Sequence, residues 1–298
     1  MFSASDVKDL REKTGAGMMD CKKALEACEG DMEKAVDWLR EKGIAKAAKK
    51  ESRIAAEGIT VAASNENEAI IFEVNCETDF VTKNEKFHAL VSELRDTLMF
   101  AKCNTTEEAN EVKLEDGKTV ADRIIEETAT IGEKIDFRRF QRLFKEENEI
   151  WGIYSHMGGK ISSIVTLKGV EDREVARDVA MQVCAMNPVA VNRENVPTEM
   201  VEHEKEIIKA EIKNDPKNES KSEEILDKMA TGRLSKFYKE NCLVEQDFIK
   251  DSSMTVEQYV KNNGGEVVSM VRYAVGEGIE KKQENFAEEV AAQMNAAN

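Results

Sequence analysis

The chain has 298 residues and is 41% hydrophobic, enough for a real core and, as a prior, for about two domains. Its net charge of −16 argues against a chain built to bind nucleic acid, which needs a basic footprint, and favours a protein partner with a basic face. Six cysteines without a C-x-x-C pair read as reduced thiols, no apolar run approaches the ~20 residues of a membrane helix, and the first residues show no signal-peptide pattern, so a cytoplasmic protein is expected.

Residues 6–43 read as three short helices. The first carries Val7 and Leu10, with Ser3 or Ser5 available as a cap, and stops at Thr14-Gly15-Ala16-Gly17. The second aligns Cys21, Ala24, Leu25 and Cys28 on one face. These two thiols sit roughly 10 Å apart along a helix, too far to share one tetrahedral zinc. Asp31 caps the third helix, with Met32, Ala35, Val36 and Leu39 as its buried face and Gly43 as its C-cap. Three such helices suggest a small bundle of the ubiquitin-associated type, which binds protein surfaces. The Ala/Lys-rich stretch 44–57 reads as a helical linker whose basic cluster is either a solvated face or a partner contact.

From Gly58 the period changes. Ile59 to Ala63 alternates, Ser64 to Asn67 is a turn, and Ala69 to Cys76 is the return strand. Phe80 follows directly after Glu77-Thr78-Asp79, a large ring on a loop at a strand's end. Residue type alone leaves two readings: a ring tucked under the core, as most Phe residues are, or a ring held out for a partner. Phe87, Leu90, Val91, Leu94 and Leu98 mark the next helix, and Val120, Ile124, Ile125, Thr128 and Ile131 another, stopped by Gly132. Residues 105–117 are connecting. Ile135 to Phe144 reads as a strand carrying Phe137, Phe140 and Phe144.

The order then recurs. Gly152-Ile153-Tyr154 stands where Gly58-Ile59-Thr60 stood, Ser155 to Lys160 is the turn, Ile161 to Leu167 the return strand, and Val175, Val179, Met181, Val183 and Met186 lie on the helix that follows. In place of the first copy's Thr78-Asp79-Phe80, the second has Lys168-Gly169-Val170. Narrow stripes over Met200 to Ile212 and Ile225 to Phe237 make a helical hairpin that projects as a short coiled coil. Met254 to Asn262 is a helix, Val267 to Val275 a final strand, and Phe286, Val290 and Ala291 mark a C-terminal helix. The expected fold is α+β. It has an N-terminal three-helix module with its linker (1–54), a duplicated core with antiparallel strands (55–147 and 148–280), a coiled-coil insertion at 197–240 and a C-terminal helix at 281–298.

Chemistry-bearing motifs are missing. Met157-Gly158-Gly159-Lys160-Ile161 lacks the Ser/Thr and upstream glycine of a phosphate loop, and Gly15-Ala16-Gly17 follows a helix rather than a strand. His88, His156 and His203 are scattered, and no nucleophile–base grouping assembles. No catalytic residue, cofactor, metal or nucleotide of its own is expected, and the chain does not read as an enzyme.

Two stretches, Val7 to Leu25 (containing Thr14-Gly15-Ala16-Gly17-Met18-Met19-Asp20-Cys21-Lys22) and Glu73 to Val81, resemble bacterial translation elongation factor Ts, as does the ending Val275-Gly276-Glu277-Gly278. The resemblance implies a guanine-nucleotide exchange factor for elongation factor Tu, with no direct nucleic acid or membrane partner. It implies that Thr78, Asp79, Phe80 and Val81 reach the partner's nucleotide-binding domain, Phe80 intruding between helices near the magnesium site and Asp79 holding that geometry. Met18, Met19, Lys22, the stretch Ile131-Gly132-Glu133, His156 and Gly158 would be further contacts. A partner-binding scaffold or chaperone without exchange activity is the competing reading.

Overall fold

The structure is a computed structural model and describes residues 2–280 except 216, 217, 219 and 220. The expected C-terminal helix at 281–298 lies outside the described residues.

Three helices open the chain: α1 (Ala4–Thr14), α2 (Met18–Ala27) and α3 (Met32–Ala48). Ser3 and Asp6 form a reciprocal capping box at the start of α1, and Asp31 caps α3 by accepting from the Lys34 N–H. Val7, Leu10, Cys21, Ala24, Leu25 and Ala35 form the common core. Met32, Val36 and Leu39 are packed against it but half-buried. Gly43 does not end α3, which runs on to Ala48 through the first part of the expected linker. A Cβ on Gly43 would stand 3.3 Å from the Cβ of Ala129, so the missing side chain lets another helix approach closely.

The strands are β1 (Glu57–Ser64), β2 (Glu68–Cys76), β3 (Ile135–Phe144), β4 (Glu149–His156), β5 (Ile161–Lys168), the short pair β6 (Asp247–Phe248) and β7 (Asp251–Thr255), and β8 (Glu266–Ala274). The helices between them are α4 (Glu85–Phe100), α5 (Thr106–Asn110), α6 (Val120–Ile131), α7 (Arg173–Met186), α8 (Thr198–Asn214), α9 (Glu223–Asn241) and α10 (Val256–Asn262). Two three-stranded sheets have the orders β1-β2-β3 and β4-β5-β8, so the second strand of each hairpin is the middle strand of its sheet. The recurrence seen in the sequence is therefore a recurrence of topology. In the second sheet β5 pairs antiparallel with both neighbours, Glu149 opposite Lys168 and His156 opposite Ile161, with a bulge between Thr166 and Leu167 on the β8 side. Met254 is a correction: it lies in β7, because Thr255 forms a capping box with Gln258 and so places the start of α10 after itself. Phe144 ends β3 as expected and is exposed there, whereas Phe137 and Phe140 are buried.

By internal contacts the described residues form two compact units, one from 2–59, 72–140 and 275–280, the other from 60–71 and 141–274. In the first, the rings of Phe72, Phe137 and Phe140 follow in series at 5.7 and 6.4 Å, tilted against one another, and Phe87, Leu94 and Leu98 are fully buried. In the second, Val165, Leu167, Val175, Val179, Val183, Phe248 and Val256 pack around α7. Ala69, Ile71 and Ile164 form a smaller cluster. The α8–α9 hairpin closes on Ile208, Ile212, Leu226, Ala230, Leu234 and Phe237. Lys213 pairs with Glu223 and Lys209 with Asp227, the order of an antiparallel pair.

One carboxylate of the first unit is poorly placed for its charge. Oε2 of Glu127, on α6, is buried without a hydrogen-bond partner among the described residues. Burial pushes its pKa above the ordinary 4.5, against the opposing pull of Lys86 and Arg123; Glu126 and Glu93 push the same way as burial. An acid raised in the folded state stabilises below its unfolded pKa and loses that contribution as pH rises through the folded value. Glu127→Gln is therefore expected to raise the thermal midpoint at pH 8, by roughly 2–4 °C for each kcal/mol of penalty. The gain should shrink as pH falls toward 4.5. A gain that stays constant between those limits would show that the charge is not the cause.

Candidate functional site

The 77–84 segment is a short turn pinned at both ends. Strand β2 delivers it from buried Cys76, whose thiol lies 3.2 Å from the Thr78 carbonyl. The Thr78 N–H and hydroxyl donate to the Glu133 carboxylate at 2.9 and 2.7 Å. Val81–Lys83 make one 3₁₀ turn, closed by the Thr82 hydroxyl donating to the Asp79 carbonyl at 2.7 Å. Asn84 then caps α4 by accepting from the Lys86 N–H at 2.9 Å.

This turn decides where the ring goes. Val81 and Thr82 take its inward side and are buried, which leaves Phe80 outward and 78% exposed. The Phe80 backbone has φ −64 and ψ −42, ordinary right-handed geometry, so the exposure needs no backbone strain. Lys83 sits over the ring, its Nζ 5.8 Å from the centroid and 2.9 Å from Oδ2 of Asp79. An exposed pair of this kind contributes at most about 1 kcal/mol, so it orients side chains more than it stabilises the fold. Val81, named with Phe80 as a contact, is buried in the free protein.

The structure brings other named residues to the same unit. Ile131 ends α6 and Gly132 caps it with φ 92, and the next residue is the Glu133 that holds Thr78. Lys86, in the first turn of α4, donates to the Gly15 carbonyl at 3.4 Å, which ties that turn to the end of α1. On α2, Met18 and Met19 are exposed and Lys22 is 3.8 Å from Glu26 in a solvated pair. His156 and Gly158 stand in the other unit, at the tip of the β4–β5 hairpin. There Met157, Gly158 and Gly159 take successive left-handed conformations, and the Gly159 carbonyl accepts from the N–H and hydroxyl of Thr60 at 2.7 and 2.8 Å. His156 is exposed, with Nδ1 3.3 Å from the Tyr154 hydroxyl.

Sequence reasoning passed over Met157 and Glu77, and gave Glu133 only as part of a contact stretch with Ile131 and Gly132. Met157 is 75% exposed beside His156 but was read as part of a turn. Glu77 accepts from the Lys134 N–H at 2.6 Å and from Arg53 at 3.2 Å, and Glu133 holds Thr78. Nothing local in the sequence marks these carboxylates, because their partners are distant along the chain.

What such a turn can do is contact. A solvated phenyl ring gains little in water and much in an apolar pocket. Among the described residues no three His, Cys, Asp or Glu side chains gather as a metal ion would need. No helix among them is long and apolar enough to cross a membrane.

The pinned turn thus holds an apolar ring in solvent. A family model described as Elongation factor TS matches residues 77–277, more than half of the chain, and the chain belongs to this family. Membership implies a nucleotide exchange factor for elongation factor Tu in translation elongation. The match begins at Glu77 and includes the whole Phe80 turn, Ile131, Gly132, His156 and Gly158.

Proposed function

We propose that the chain binds elongation factor Tu in its GDP-bound form and promotes GDP release by driving Phe80 into the partner near its magnesium site, after which GTP binds. The observation that carries this reading is a phenyl ring 78% exposed on a turn whose neighbours Val81 and Thr82 are buried. Nucleotide affinity in a GTPase rests on Mg²⁺ and phosphate-cradling groups, so an exchange factor can act without touching the nucleotide. It binds the partner better when that site is distorted, and the two bindings oppose each other by linkage. A ring pushed between packed helices suits this, since packed interfaces switch between arrangements rather than deform smoothly.

In this reading Asp79 steers the ring through Lys83, and Met18, Met19, Lys22, Ile131, Gly132, His156 and Gly158 add contacts. The three-helix bundle is a docking module of the ubiquitin-associated type, and the α8–α9 hairpin a short coiled coil. The protein works in the cytoplasm. It changes no covalent bond and needs no cofactor, metal or nucleic acid of its own.

The test is release of a fluorescent GDP from preloaded elongation factor Tu. Added protein is expected to accelerate release in a saturable way, by well over tenfold. Tight binding with an unchanged release rate would overturn the reading in favour of a scaffold.

A further inference from the structure

Two carboxylates cross where the Phe80 turn meets the chain after α6. Glu133 accepts from Thr78 through both oxygens, the hydroxyl on Oε1 and the backbone N–H on Oε2. Glu77 accepts in the opposite direction, from the backbone N–H of Lys134. Each segment thus offers a carboxylate to the other's backbone. Arg53 adds a charge-assisted bond to Glu77, and Nζ of Lys134 donates to the Glu51 carbonyl at 2.8 Å. These bonds lie just past the strands, since β2 has ended at Cys76 and β3 has yet to begin at Ile135. All the groups involved are half-buried or exposed, so water can replace any bond that is lost.

The geometry points to Glu133 as the positioning residue for Phe80, an inference that rests on the exchange reading above. Two parallel bonds from one carboxylate fix both position and rotation of Thr78, two residues before the ring. The ring therefore meets a partner in one orientation, and the entropy of ordering the turn is already lost before docking. Binding elsewhere on the surface does not depend on this, but the ring's productive insertion does.

The test compares Glu133→Ala, Glu133→Gln, Thr78→Val, Thr78→Ser and Phe80→Ala with the unaltered chain in saturable GDP release from elongation factor Tu. Amide hydrogen exchange across 78–81 is followed in parallel. Glu133→Ala is expected to lower the maximal rate by about 10- to 100-fold, the cost of misplacing a reacting contact by about an ångström. The half-saturating concentration should change by less than about threefold, because contacts made elsewhere are uniform binding. Protection at Thr78 should fall, Glu133→Gln should lie between, and Thr78→Val, which loses the hydroxyl bond to Glu133, should be slowed more than Thr78→Ser, which keeps it. The serine–valine contrast decides the matter if Glu133→Ala does not fold. An unaltered rate in Glu133→Ala or Thr78→Val, with Phe80→Ala slow, overturns the positioning role and leaves the exchange reading intact. An unaltered rate in Phe80→Ala overturns both.

Discussion

Replacing Phe80 by alanine is expected to slow the maximal rate of GDP release from elongation factor Tu by about 10- to 100-fold while leaving the protein's own thermal midpoint within roughly 2 °C. The first number follows from burial. Moving a phenyl side chain from water to an apolar pocket is worth about 1.5–3 kcal/mol, and each ~1.4 kcal/mol realised only when the partner's site opens is a factor of ten in rate. The second follows from the free protein, where Phe80 faces solvent and contributes almost nothing to the core. Phe80→Leu should keep much of the activity, because the gain comes from apolar area. Asp79→Ala should cost less than Phe80→Ala, since its ion pair with Lys83 is exposed on both sides. A release rate matching the unaltered chain in Phe80→Ala would remove the wedge from the mechanism.

The largest expected effect on stability lies at Glu73. Its side chain is fully buried in β2 and its two oxygens collect five hydrogen bonds. Oε1 accepts from Asn75 at 2.9 Å, Arg138 at 3.2 Å and the Gly276 N–H at 2.7 Å, and Oε2 from Arg138 at 3.2 Å and Arg139 at 2.6 Å. Such a site is well satisfied as it stands and poorly satisfied once one member goes. Glu73→Ala removes the carboxylate that Arg138 and Arg139 share and leaves a cavity in β2, while both arginines still reach Glu277, at a cost of about 3 kcal/mol. Glu73→Gln keeps the volume and some acceptors but loses the charge, and should fall between. Urea titration followed by circular dichroism reads the change. A loss below about 1 kcal/mol in Glu73→Ala would show that the arginines find other partners.

What was legible in the sequence divides along physical lines. Apolar periodicity located Phe87 to Leu98 on α4 and Val120 to Ile131 on α6, because one-sided burial writes itself into spacing. The hairpin at Ser64 to Asn67 and the left-handed stop at Gly132 followed from local turn chemistry. Gly43 misled because a glycine after a helical stripe has two uses, and close approach to Ala129 cannot be told from capping without the neighbouring helix. Residue type also left Phe80 undecided. The deciding fact is that Val81 and Thr82 fill the inward side of the turn, and side-chain direction in a one-turn helix is set by how its ends are tied. Those ties run to Glu133 and Lys134, across a separation that no local pattern encodes. The site was thus visible as a list of residues but not as a mechanism for holding the ring out.

The bond from the Gly276 N–H to Glu73 spans 203 residues, and this sets a clock on biosynthesis. At roughly 5–20 residues per second, a ribosome needs about 10–40 s to travel that distance. Through this interval the first unit, which draws on residues from both ends of the chain, lacks its closing segment. Once Arg138 and Arg139 are made, they and Glu73 still wait for the Gly276 N–H and the Glu277 carboxylate, in a nascent polypeptide whose aromatic turn is already synthesised. Maturation of the protein is in this sense paced by translation itself, the process that its family serves.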